Sequence, residues 1–224
     1  MSLFDPVDIY CERTDPSYWS EPVNALTNLA FVAAGLYGLH LARQAGTDLW
    51  PKVLCIWVMA IGFGSYLFHT HAQPWAGLAD VIPIWTFFLA YVAFALRRYL
   101  KLSWAGVGIG FLIGIALIVG TTALIPDSAY AATNGSIHYL PAIVALIAFS
   151  FVLWRAGSGA AHYVLLATGV FAISITFRSI DMAVCGAFPL GTHFFWHVLN
   201  GLMLAILLIA SVREGPRPVL RTEG

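Results

Sequence analysis

The sequence predicts an all-α membrane protein of seven transmembrane helices, N-terminus outside and C-terminus cytoplasmic, and three observations predict it. Of its 224 residues, 60% are hydrophobic and 10% are charged, where a soluble domain has about a quarter charged. Mean hydropathy is +0.82, an apolar excess that calls for lipid rather than a protein core. The apolar residues also fall in long runs. At ~20 residues per crossing, seven runs use roughly 140 residues, which leaves short loops and tails, so residues 1–224 are expected to form a single domain with no second, soluble unit.

Residues 1–22 form an acidic segment expected outside the membrane. It carries Asp5, Asp8, Glu12, Asp15 and Glu21 against one basic residue, Arg13. With neither a basic start nor an early apolar stretch, no cleavable signal peptide is indicated. The apolar runs then place crossings at 23–42, 53–71, 78–96, 104–125, 137–154, 161–183 and 193–212, followed by a cytoplasmic tail at 213–224. The first crossing opens on Asn24, Thr27 and Asn28, and the third contains Asp80 and Pro83. On the fourth, Gly106, Gly110 and Gly114 recur at four-residue spacing, which permits close helix approach.

Orientation comes from the alternate loops, because Lys and Arg are retained on the cytoplasmic side. With the N-terminus outside, Arg43, Lys52, Arg97, Arg98, Lys101, Arg155, Arg213, Arg217 and Arg221 lie inside, and only Arg13 and Arg178 lie outside. The acidic residues run the other way: Asp5, Asp8, Glu12, Asp15, Glu21, Asp80, Asp127 and Asp181 lie outside. Net charge is zero, so nothing points to nucleic acid; the expected partners are the bilayer and a membrane lipid.

Ionisable groups inside membrane segments are costly and therefore suspect as functional. His69 ends the second crossing, Asp80 begins the third, Arg178 and Asp181 end the sixth, and His193 and His197 begin the seventh. All sit at the outer level in the predicted orientation. His193 and His197 are four apart, on one helical face, the spacing by which one helix offers two ligands to zinc. A third ligand from His69 would leave the fourth zinc position open, the pattern of a catalytic site. The competing reading is three hydrogen-bonded core histidines or a proton path. Asp80 is either a helix-start cap or a general base. Ser65, one turn before His69, is either an oxyanion donor or a small packing residue. Arg178 and Asp181 either pair with each other, or Asp181 orients a zinc-bound His from behind. His40, His71, His138 and His162 have no partner suggested by spacing.

The runs YCERTD, EPVNALTNLAF and GSYLFH, Asp80 eleven residues after His69, then FRSIDMAVC and HFFWH together resemble the alkaline ceramidase family. That family lies within a wider group of seven-helix hydrolases that includes the adiponectin receptors. The resemblance spans about residues 8 to 201 and implies a zinc-dependent amidase that splits the N-acyl bond of a ceramide-like lipid. Under it, His69, His193 and His197 hold zinc, Asp80 positions and deprotonates water, and Ser65 steadies the oxyanion. It also implies a Cys11–Cys185 disulfide, with Cys55 left free.

Animal members of the family bind calcium through their acidic N-terminal segment. Glu12 and Glu21 match those positions, and Asp8 and Thr14 are nearby oxygen donors suited to a hard cation. The family's Asp before its aromatic-Cys pair is Ile9 here, and a solvated acidic segment is the competing reading. The alternative to an enzyme is a lipid receptor or sensor of the same group with a structural zinc site. Ser65 and Asp80 beside the histidines favour the enzyme, and no paired helix interruptions suggest a repeat-built transporter. Short loops suit a bacterial inner membrane, with the site toward the periplasm.

Overall fold

Five of the seven apolar runs form helices slightly longer than the runs themselves. The computed structural model describes residues 2–215; Arg217 and Arg221, counted toward the inner face, lie outside the described residues. Seven helices are long and apolar enough to cross a membrane. They are α1 (Pro22–Gln44), α2 (Leu49–His71), α3 (Pro74–Arg98), α4 (Trp104–Thr122), α5 (Leu140–Arg155), α6 (Ala160–Val184) and α7 (His193–Arg213). A short helix, Asp127–Ala132, and a 3-10 turn, Ser136–Tyr139, precede α5, and no strand occurs among the described residues.

Each predicted crossing is thus a helix, and the boundaries differ for local reasons. Helix α2 starts before residue 53 because the Asp48 carboxylate accepts the Trp50 N–H at 3.2 Å, satisfying one of the orphan donors of the first turn. Helix α3 starts at Pro74, whose missing N–H costs nothing at a first helical position. The polar opening of the first crossing corresponds to a break, with Asn28 at the junction of a short helix, Pro22–Thr27, and the run Leu29–Gln44.

The helices pack in chain order as a ring, α1 against α2 and so on to α7, and α7 closes back onto α1 and touches α2. Fully buried Leu54, Val58, Phe94, Leu153 and Leu208 fill the centre toward the end away from the candidate site. There Arg98 pairs with Asp48, and Tyr91 donates to the Leu207 carbonyl at 3.1 Å. Helix α4 contributes least to the core. Of its glycines, a side chain at Gly110 would meet Leu96 at 2.8 Å, whereas Gly114 faces open space. A side chain at Gly106 would also meet a neighbour, Leu102, at 3.1 Å, so the small-residue spacing serves packing at its first two positions and not along the whole helix.

The other end of the ring is tied by the N-terminal segment. Cys11 and Cys185 form a disulfide, and Cys55 is a free, buried thiol. The Asp181 carboxylate receives the Cys11 N–H at 3.0 Å, the Thr192 N–H at 2.6 Å and the His193 N–H at 2.9 Å. That closure needs Gly191: its φ is +62°, and a Cβ there would lie 2.2 Å from Asp181 Oδ1 and 2.5 Å from the Cys11 Cβ, so only glycine fits.

Candidate active site

Helix α2 carries His69 in its last turn and α7 begins with His193 and His197, and the contact between these two helices brings the three rings together. All three are about 1% exposed. Each offers a ligand nitrogen within 4.8 Å of the others, and ring centroids are 4.6 to 5.2 Å apart.

Two of the rings have their tautomer set by the neighbouring residues. His69 Nδ1 lies 2.6 Å from Glu21 Oε2. Burial pushes the Glu21 carboxyl up, but bonds from His69 and Arg13 outweigh it and hold it below the usual carboxylate range. An ionised carboxylate only accepts, so His69 Nδ1 carries a proton and Nε2 is the nitrogen left without a partner. His197 Nδ1 lies 3.0 Å from Thr27 Oγ1. That hydroxyl already donates to the carbonyls of Val23 and Asn24, so it accepts from the ring and again leaves Nε2 free. His193 Nδ1 is buried without a hydrogen-bond partner, and Tyr10 stacks on the ring with centroids 3.7 Å apart. Three buried imidazoles with ligand nitrogens this close together, two of them held through Nδ1, fit a metal ion, and the three-histidine group is a possible metal site.

A cavity of about 220 Å³ opens beside the triad, lined by Ser65, Asp80, Tyr139, Arg178, Trp196, His193 and His197 among others. Ser65 on α2 and Asp80 on α3 face the same cavity. This is possible because α2 and α3 nearly touch: a Cβ at Gly64 would lie 2.0 Å from the Ala79 carbonyl oxygen. Phe31, Ile61, Val81 and Ile84 give the wall an apolar stretch, suited to an acyl chain. The cavity thus brings a carboxylate and a hydroxyl together with His193, His197 and an apolar wall, a combination suited to hydrolytic chemistry.

Arg178 and Asp181 do not pair. Arg178 donates to the Asn134 carbonyl at 3.1 Å and Ser136 Oγ at 2.8 Å, and its guanidinium lies over the Tyr139 and Trp196 rings. Asp181 touches His193 through the backbone N–H rather than the ring, so it fixes the start of α7 and not the imidazole. The four residues assigned to calcium differ in burial. Asp8 and Thr14 are exposed, while Glu12 and Glu21 are buried. Both Glu12 oxygens accept backbone N–H groups, from Val23 at 2.7 Å and Asn24 at 2.8 Å. Burial nevertheless pushes its carboxyl up.

Sequence reasoning missed Glu21 and Thr27 as partners of the histidines and Tyr10 as the ring that covers His193. The polar residues at the start of the first crossing were the available signal, since Thr27 and Asn24 sit where lipid would exclude unpaired polar groups.

Fold and site together define a multi-pass membrane protein with a buried three-histidine group at one end of the helix ring. No curated protein matches the chain. The family model described as Ceramidase matches residues 10–214, nearly the whole sequence, and the chain belongs to that family. It is accordingly an amide hydrolase, and the family acts on lipid substrates.

Proposed function

We propose that this chain is a zinc-dependent intramembrane amidase that cleaves the N-acyl bond of ceramide or a ceramide-like N-acyl lipid, releasing a fatty acid and a sphingoid base or amine. The observation that carries the reading is the set of three buried imidazoles, two with Nδ1 already engaged by Glu21 and Thr27 and Nε2 left for an ion. His69, His193 and His197 would hold the zinc, which supplies a Lewis acid beside the scissile carbonyl.

Asp80 takes a proton from the attacking water and returns it to the leaving amine, so one water is consumed and one acid and one amine are formed. Ser65 donates its hydroxyl to the oxygen that becomes negative in the transition state. Stacking by Tyr10 and the Glu21 and Thr27 bonds keep the imidazoles from rotating, which lowers the reorganisation needed during reaction. The acyl chain lies along the apolar wall formed by Phe31, Ile61, Val81 and Ile84.

In this reading the site faces outward, as the distribution of basic residues supports, and the setting is a bacterial inner membrane with the site on the periplasmic side. Product analysis after incubation with ceramides, N-acyl amino acids and other acyl amides tests the substrate, and release of sphingoid base from ceramide is expected. Metal analysis tests the ion: one zinc per chain is expected in the unmutated protein and none in His197→Ala. Unmutated protein without zinc would sink the reading.

A further inference from the structure

The N-terminal segment, the start of α1 and the end of α2 meet around one guanidinium. Arg13 is 6% exposed, and its donors reach four oxygens. Nε bonds to Glu21 Oε1 at 2.5 Å, Nη1 to the carbonyls of Asp15 at 3.0 Å and Ser17 at 3.5 Å, and Nη2 to the carbonyl of His69 itself at 3.0 Å. A carboxylate and three carbonyls turned onto one buried positive charge is the kind of donor set that a hard divalent cation takes. Here a side chain occupies the centre.

The residues present do not fit calcium. Glu21 has both oxygens engaged, Oε1 by Arg13 and Oε2 by His69 and by Asn24 Nδ2 at 3.1 Å. Glu12 gives both of its oxygens to N–H groups at the start of α1. Ile9 stands where the family has an Asp and turns an alkyl side chain toward the cavity. A guanidinium offers five donors and no acceptor and carries a positive charge, so it cannot coordinate a cation and repels one from the same oxygens.

We infer that Arg13 is the resident cation of this segment, a covalently tethered replacement for a divalent ion, and that it is a positioning residue for His69. One rigid fork grips Glu21 and the backbone of His69 together, so both ends of the Glu21–His69 hydrogen bond are fixed relative to each other. The protein then has no use for calcium, and the orientation of His69 depends on Arg13. The second half of the inference rests on His69 being a metal ligand; the first half does not.

The test uses the intact chain in detergent. Equilibrium dialysis against radioactive calcium is expected to find no saturable binding, and added calcium to leave the unfolding temperature unchanged. Competition with a chromophoric zinc chelator is expected to show zinc affinity about 10–100-fold weaker in Arg13→Ala, the usual cost of losing a group that orients a ligand. Arg13→Lys, which keeps the charge and loses the fork, is expected to fall between. One calcium bound per unmutated chain with a raised unfolding temperature would overturn the inference, as would a folded Arg13→Ala that holds zinc as tightly as the unmutated chain. If Arg13→Ala does not fold, Arg13→Lys and the calcium titration decide. An unmutated chain without zinc defeats the proposed function and leaves the calcium titration to decide the tethered cation.

Discussion

Helices α2 and α7 are each 56% buried within the protein over their apolar window, whereas α4 is 6% buried, although all three are apolar enough to cross a membrane. The difference shows that in lipid, hydrophobicity does not report position in the fold. The tails of lipids accept Leu and Ile as readily as a core does, so what separates the inner helices from the outer one here is their buried polar residues. The inner pair carries the polar residues Ser65, His69, His193, His197 and Asn200, all buried. Helix α4 presents Ile109, Leu112, Ile113 and Val119 outward, each more than half exposed. These buried polar groups on α2 and α7 are the ones that bring the three histidines together.

Perturbing the chemistry of the inner region should give the largest effects. Asp80→Asn removes the proton acceptor while leaving the three histidines in place. Zinc content is expected to stay at the unmutated level and amide hydrolysis to fall by about 10²–10⁴-fold, the range for loss of general acid–base catalysis. Equal activity would remove Asp80 from the mechanism. A smaller effect is expected where the ring is only held. Thr27→Val deletes the acceptor for His197 Nδ1 and should weaken zinc binding about tenfold, toward the lower end for such orienting partners. Zinc competition measures it, and an unchanged affinity would mean that Thr27 does not orient the ring.

The same contrast explains what was legible in the sequence. The seven crossings were legible because each is a long apolar run, and the run survives any arrangement of the helices around it. His193 and His197 were legible as a pair because helical geometry alone puts them on one face. Their union with His69, 124 and 128 residues away by number, was an expectation from residue types and level. The partners that hold the rings were not legible: Glu21 lies 48 residues before His69 and Thr27 lies 170 before His197. No local period links positions that far apart. Glu21 was instead assigned to calcium because it matches a position at which animal members of the family bind that ion, and only the tertiary fold puts Arg13 and His69 on its two oxygens. Gly64 was similarly hidden, since nothing in GFGSYLFH tells that a carbonyl from α3 lies against one glycine and not another.

That glycine offers the finest test of the comparison, because one substitution should change sign between the two regions. In Gly64→Ala the new methyl lies 2.0 Å from the Ala79 carbonyl oxygen, a backbone atom that cannot swing aside. Helices α2 and α3 must part, at a cost of about 1–3 kcal/mol typical of overpacking, and Ser65 and Asp80 separate with them. Lower unfolding temperature in detergent and lower activity are both expected. In Gly114→Ala the methyl meets nothing within 4 Å, and replacing a helix-interior glycine removes a propensity penalty of up to about 1 kcal/mol. Unfolding temperature should rise slightly or stay level, with activity unchanged. If instead Gly114→Ala destabilised as much as Gly64→Ala, α4 would be packed against protein in the membrane, and the division into an inner functional pair and an outer lipid-facing helix would fail.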